Sequence, residues 1–308
     1  MAVIECVPNV SEAVRADTIT ACSTAITRAG AVLLDIHADD AHNRAVFTIA
    51  GDDGSVVAAG HALVATAVAA IDLRAHRGVH PRIGAIDVVP FVPLGGATLD
   101  SCIAIAREFA ALVAARHALP IFLYEAAAAA PHRRRLEDIR RGGLDALASR
   151  MQTPEWAPDF GPAEPHPTAG VTVVGARMPL IAFNINLATD RIEVASAIAR
   201  SIRESSGGLP AVKALGLPLA DRRVVQVSMN LTDYRQTSMR RVFDVVAAEA
   251  AREGIAVIES EIVGLVPADA LTAADAHAMR VRDFHLDPII EHRLAQRTSA
   301  GISRPSAG

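Results

Sequence analysis

The sequence predicts a mixed α/β (α+β) chain built as two subdomains with a cleft between them. Three observations lead there. The chain has 308 residues, which at about 150 residues per domain is room for two cores. Strand-like and helix-like segments alternate in similar order in both halves. Between the halves, Pro154, Pro158, Pro162, Pro165 and Pro167 crowd one short stretch, and proline at that density removes ladder donors and breaks helices. The division places residues 1–175, including the connector 153–170, in the first subdomain and residues 176–308 in the second.

Each element follows from its pattern. Ala2–Pro8 is an apolar run ended by Pro-Asn, which suits a strand leaving into a loop. Asp17–Arg28 has a helical apolar period stopped by Gly30. Ala31–Ile36 and Ala45–Ala50 read as strands joined by the polar loop HADDAHNR, and Gly54–Ile71 as a long Ala/Val helix. Ala85–Val92 is β-branched and bounded by prolines, a buried strand; Ser101–Arg116 is a helix and Pro120–Tyr124 a strand. Ala126–Gly170 reads as irregular connector, with the basic run His132–Arg135 as a solvated face. Beyond it, Val171–Gly175 and Leu180–Leu187 are strands and Ile192–Arg203 a helix. Val224–Leu231 alternates as a strand, Thr237–Glu253 is a helix ended by Gly254, Ile255–Val266 is one strand or two, and Asp275–Arg293 closes as helix.

Composition excludes several classes. Thirty Lys and Arg against 34 Asp and Glu give a net charge of −4, so the chain is no generally basic nucleic-acid binder. A mean hydropathy of +0.28 raises a membrane span, but the window Ser55–Leu73 is alanine-rich and carries His61 and Asp72, and alanine contributes little insertion energy. The N-terminus lacks the basic-then-apolar order of a signal peptide. Cys6, Cys22 and Cys102 have no metal-like spacing, and a reducing cytoplasm is their expected setting.

Three polar constellations are candidate chemistry. RAHRGVHPRIGAID, Arg74–Asp87, sets His76 and His80 among Arg74, Arg77 and Arg82; histidine beside arginines suits proton transfer next to an anion. Pro81 and Gly78 disturb the helix that an HxxxH metal pair needs. HADDAHNR, His37–Arg44, offers His37, Asp39, Asp40, Asn43 and Arg44, as ligands or as turn formers. GARMPLIAFNIN offers Arg177 to a carboxylate, and Asn184 and Asn186 share one strand face, as Asn230 does on its own strand. Buried amides need partners, a ligand or a neighbouring loop.

Taken together the strings resemble the formiminotransferase (glutamate formimidoyltransferase) family. They are IECVPNVSE at Ile4–Glu12, LLDIHADDAHNRAVFTIAG at Leu33–Gly51, HRGVHPRIGAIDVVPFVPL at His76–Leu94, WAPDFGP at Trp156–Pro162, GARMPLIAFNINL at Gly175–Leu187, QVSMNLTDY at Gln226–Tyr234 and SEIVGLVP at Ser260–Pro267. The resemblance implies sheets with helices on their outer faces and a substrate tunnel or cleft between the subdomains. It implies a homodimer and transfer of a formimino group from N-formimidoyl-L-glutamate to tetrahydrofolate, a co-substrate, with no metal. His80, in the H-P-R-x-G motif, is the implied catalytic histidine. The implied folate segment is Gly161-Pro162-Ala163-Glu164-Pro165-His166-Pro167-Thr168-Ala169-Gly170. Arg44, Arg82 and Arg177 are then candidates for substrate carboxylates, and Asp39 or Asp40 for the cationic amidinium.

There are departures. Val10 and Ala13 stand where the family has Phe and Gly, and His37 where some relatives carry aspartate. The sequence ends without the cyclodeaminase domain of animal relatives, so a separate cyclodeaminase is the expected partner for the product. Two other readings keep the fold: formyl-donor folate salvage with 5-formyltetrahydrofolate, and a non-catalytic folate-binding protein.

Overall fold

The computed structural model describes residues 2–40, 42–78, 82–219, 222–282, 284 and 288–302. The chain divides into two units, Met1–Arg177 and Met178–Gly308, each with its own sheet and core.

In the first unit β1 (Val3–Cys6) and β2 (Asn9–Val10) occupy one lane of a mixed sheet. They run between β4 (Arg44–Gly51) on one side and β5 (Ile86–Leu94) on the other, antiparallel to both. β3 (Val32–Asp39) flanks β4 antiparallel. Across β5, β7 (Thr172–Ala176) and then β6 (Ile121–Glu125) continue the sheet in parallel.

Helices α1 (Ala16–Arg28), α2 (Asp53–Ala70) and α3 (Leu99–His117) bury one sheet face in a core that includes Ile4, Phe47, Ile49, Leu63, Phe91 and Phe109. Their starts are set locally. Asp52 accepts the Ser55 N–H at 2.8 Å to begin α2, and Thr98 and Ser101 form a reciprocal capping box on α3. Among the described residues α2 alone has the length and apolar composition of a membrane span. Its Val56, Ala59, Leu63, Val64 and Ala67 are spent on the core instead. On the opposite face α4 (Leu136–Arg140) and α5 (Gly143–Arg150) cover the parallel part, where Ile83, Val88, Phe122, Tyr124, Ile139, Leu147 and Val173 pack together.

In the second unit β8 (Ile181–Leu187) and β10 (Val224–Leu231) are the inner strands of an antiparallel sheet. β11 (Val257–Val263) borders β8 and β9 (Val212–Leu219) borders β10. Helices α6 (Ile192–Ile202) and α7 (Met239–Arg252) cover one face, over Phe183, Ile185, Val225, Val227 and Met229. Two further helices, α8 (Ala273–Ala278) and α9 (Ile290–Ile302), follow β11.

Several expectations are corrected. β5 runs through Pro90 and Pro93 rather than stopping at Val92. Pro90 lies level with the break between β1 and β2, where its carbonyl accepts the Val7 N–H at 3.2 Å, and Pro93 lies beyond the last β7 pairing at Phe91–Ala176, so neither removes a needed donor. β3 extends through His37 and Asp39, so these two residues lie in a strand and not in the expected loop. The connector holds α4 and α5. The closing helix read over Asp275–Arg293 is two helices, α8 and α9, because Val266 and Ile289 bridge between them and Pro288 offers no amide to a continuous helix. Arg133 is not solvated: it is 7% exposed and paired with Asp159. All three cysteines are buried.

His61 gives this unit an acid sensitivity. Its ring stacks on Phe109 at 4.5 Å, and among the described residues neither ring nitrogen meets a hydrogen-bond partner. Burial, then the charges of Arg116 and His117, push its pKa down to about 4. The unfolded chain, with a histidine pKa of about 6.5, binds the proton first, so stability is lost as pH falls from about 6.5 towards about 4. His117, pushed down by burial and by Arg116, acts in the same direction. Urea unfolding across this window is expected to show a falling midpoint, and His61→Leu to flatten it; an unchanged slope in that variant would assign the loss elsewhere.

Candidate active site

Three of the motif strings and the end of the connector meet at one end of the first sheet. Ser11 donates its amide to the Ala85 carbonyl at 2.9 Å and its hydroxyl to the Gly84 carbonyl at 2.7 Å. Asn43 accepts the Ala13 N–H at 2.9 Å and donates to the Arg77 carbonyl at 2.8 Å; its left-handed φ of 46° suits asparagine at a hairpin turn. The end of the connector lies against the same loop. Leu73 N–H reaches the Thr168 carbonyl at 2.8 Å, Ala85 N–H the Ala169 carbonyl at 2.9 Å, and Val171 N–H the Ile83 carbonyl at 2.8 Å. So IECVPNVSE, HADDAHNR, the stretch on either side of His80 and the segment Gly161–Gly170 are neighbours in space. His80 itself, with Val79 and Pro81, lies outside the described residues.

Glycine makes this approach feasible. A Cβ on Gly84 would lie 2.1 Å from the Val171 carbonyl oxygen, and one on Gly170, whose φ is +69°, 2.3 Å from the Ile83 carbonyl oxygen. No side chain fits between these backbones.

The described site residues fall into groups. Register sets Asp39 opposite Arg44 and His37 opposite Val46. His37, Asp39 and Arg44 therefore share the β3–β4 face that points away from Ala45, Phe47 and Ile49 in the core. Asp39 accepts the His42 amide at 2.9 Å and pairs with its Nδ1 at 2.6 Å, while Asp40 lies in the turn. Burial and the Arg140 charge push the Arg44 guanidinium down, and Asp87 and Asp39 hold it up. Arg82 donates to His76 Nδ1 and to the Gly78 carbonyl. His76 Nε2 lies 3.0 Å from the Asn43 carbonyl oxygen.

Arg177 stands elsewhere on the sheet. Its amide donates to the Phe91 carbonyl at 3.1 Å, five residues along β5 from Ile86 and about 17 Å away at strand rise. There it hydrogen-bonds Tyr124, whose phenol burial pushes up to about 12.

The connector is built in rather than slack. Asp159 accepts the Leu123 N–H at 2.7 Å and the Arg133 guanidinium at 2.9 Å. Arg133 also donates to the Ala157 carbonyl at 2.7 Å, and Arg150 stacks 4.0 Å from the Trp156 ring centre. His166 closes the segment: its Nδ1 accepts the Ala169 N–H at 3.0 Å, and its backbone pairs with Gly170.

In the second unit Asn184, Asn186 and Asn230 lie on the sheet face opposite α6 and α7. Asn186 donates to Glu259 at 2.9 Å and accepts from Gln226 at 3.0 Å. Arg222 reaches Glu259 at 2.6 Å and Arg282 reaches Glu261 at 2.7 Å. Burial pushes Glu259 up, but the bonds from Arg222 and Asn186 outweigh it and hold the carboxyl below its ordinary value. Sequence reasoning missed Gln226 and Glu259 as partners of Asn186; the alternation of VQVSMN over Val225–Asn230 carried the signal for Gln226. Among the described residues no three His, Cys, Asp or Glu side chains gather as a metal site.

Residues 3–177 match the formiminotransferase domain, N-terminal subdomain, and residues 182–295 match the formiminotransferase domain. The chain is 44% identical to glutamate formimidoyltransferase of Streptococcus pyogenes, over 95% of this chain and 98% of that one. It is 40% identical to glutamate formimidoyltransferase of Thermoplasma acidophilum, over 96% and 98%. It is also 41% identical to formimidoyltransferase-cyclodeaminase of Rattus norvegicus, covering 94% of this chain and 55% of that longer one. The chain belongs to the formiminotransferase family.

Gly84→Ala is expected to part the loop from the connector, with a loss of about 2 kcal/mol or more in urea unfolding and of most activity. Gly54→Ala, whose added methyl meets only the Asp52 carboxylate at 3.4 Å, is expected to be neutral or stabilising in the first turn of α2.

Proposed function

We propose that this chain transfers the formimino group of N-formimidoyl-L-glutamate to N5 of tetrahydrofolate, giving 5-formimidoyltetrahydrofolate and L-glutamate. The observation that carries this reading is the match to relatives named glutamate formimidoyltransferase along nearly the whole of both chains. The convergence of three motif strings and the segment Gly161–Gly170 at one end of a sheet supports it.

N5 attacks the amidine carbon, and the new C–N bond leaves a tetrahedral centre. His80 takes the proton from N5 and returns one to the glutamate nitrogen, whose bond to carbon then breaks. A histidine with a pKa near neutrality serves both directions. Asp39, on the same strand face as Arg44, offers negative charge to the cationic amidinium. Arg44 and Arg82 draw the carboxylates of the two anionic substrates, since a local field outweighs a net charge of −4. His37 borders that face. Asn43 acts by holding the loop, both ends of its amide being taken by backbone. Gly161–Gly170 receives tetrahydrofolate, and Arg177 is a further candidate for a substrate carboxylate. Holding two substrates in register supplies much of the lowering of the barrier. The resemblance supports a homodimer, and the three cysteines without metal-like spacing support a reducing cytoplasm.

The test is one assay of purified protein with tetrahydrofolate and N-formimidoyl-L-glutamate, read as 5,10-methenyltetrahydrofolate absorbance after acid. Turnover is expected, and His80→Ala is expected to lose at least about a hundredfold in rate. Folded protein that binds folate but turns over only with 5-formyltetrahydrofolate would replace this donor by the formyl one.

A further inference from the structure

Asp87 is a charged residue inside a sheet, and neither composition nor the reaction chemistry asks for it there. It is 1% exposed. A carboxylate so far from water persists only with strong partners. β2 pairs Asn9 with Val88 and Val10 with Ile86, so Asp87 is the extra residue of a β-bulge. Such bulges re-aim a side chain out of the strand's regular alternation. Here the side chain turns back along its own chain: Oδ1 accepts the buried Ile83 N–H at 2.8 Å. Oδ2 takes the guanidinium of Arg140, from α4 on the other side of the parallel sheet.

The consequence is felt at Ile83. Its amide is held by Asp87 and its carbonyl by the Val171 N–H at 2.8 Å. The next residue, Gly84, is held through its carbonyl by Ser11. Ile83, the residue that follows the His80-Pro81-Arg82 motif, is thus held through both of its backbone groups. Of these anchors, Asp87 is the one that is charged and backed by a second element. Arg44 and Arg82, both within reach of its charge, are the cations offered above to the substrates.

We propose that Asp87, clamped by Arg140, is a positioning residue that sets the loop bearing His80 for proton transfer. The inference rests on the reading of His80 as the catalytic histidine. Asp87 touches no substrate; it acts through the Ile83 amide.

Asp87→Asn keeps an acceptor for Ile83 but loses the charge that holds Arg140, and Arg140→Gln removes the clamp from the other side. Each is assayed beside His80→Ala and the double variant His80→Ala/Asp87→Asn, with circular dichroism and melting to establish folding. The expected result is a fall in kcat of about tenfold or more in Asp87→Asn and Arg140→Gln, with KM for both substrates changed less than about twofold. In the His80→Ala background Asp87→Asn is expected to add no further loss, as residues acting as one unit are not additive. If Asp87→Asn does not fold, Arg140→Gln and its double with His80→Ala decide by the same criteria. With His80→Ala inactive, a folded variant at wild-type kcat, or losses that multiply in the double, would overturn the proposal alone. Full turnover by His80→Ala would overturn the reading of His80, and this proposal with it.

Discussion

The first unit is organised around a contact between two backbones. Ile83–Ala85 and Ala169–Val171 lie so close that their carbonyls and amides pair directly, Val171 to Ile83 and Ala85 to Ala169. Only hydrogen can occupy the side-chain positions of Gly84 and Gly170 there. This contact fixes where the loop before β5 begins and where the long connector ends. It seats the start of β7 beside β5 and brings the residues on either side of Val79–Pro81 against the connector. The surrounding side chains refine a geometry that the backbone already imposes.

Charge inside the unit is then distributed by pairs. Asp87 with Arg140 and Asp159 with Arg133 are both held almost wholly out of water, and each also satisfies a strand or loop amide. Such pairs contribute little net stability compared with apolar residues of the same volume, but losing one partner is severe. Their value here is geometric. They tie α4 and the proline-rich segment to particular strands, where apolar contact alone would tolerate sliding.

Much of this was legible in the residues. The alternation of β-branched and helical runs gave most strands of both sheets and the helices α1, α2, α3, α6 and α7, because a half-buried strand and an amphipathic helix impose their periods on sequence. What was missed has physical reasons. β9 carries Gly216 and Pro218 and exposes Leu215 and Leu217, so an edge strand reads as loop. Prolines in the connector masked the short helices α4 and α5 upstream of them. Arg133 looked solvated because its partner Asp159 lies 26 residues on, and Arg140 gave no sign of Asp87, 53 residues back. His80 and the folate segment were named through resemblance of whole strings, which periodicity does not supply.

The shared lane of β1 and β2 has a consequence for how the chain assembles. β1 and β2, Val3–Cys6 and Asn9–Val10, belong between β4, at Arg44–Gly51, and β5, at Ile86–Leu94. No early local contact holds them there, and closing so long a loop is entropically unfavourable until both neighbours exist. The N-terminal segment, with Ile4, Cys6 and Val10 destined for the core, therefore waits as an unpaired apolar strand while some ninety residues follow it. In a growing chain that is the interval of greatest exposure to wrong partners, and the sheet is complete only once this lane is seated in its middle.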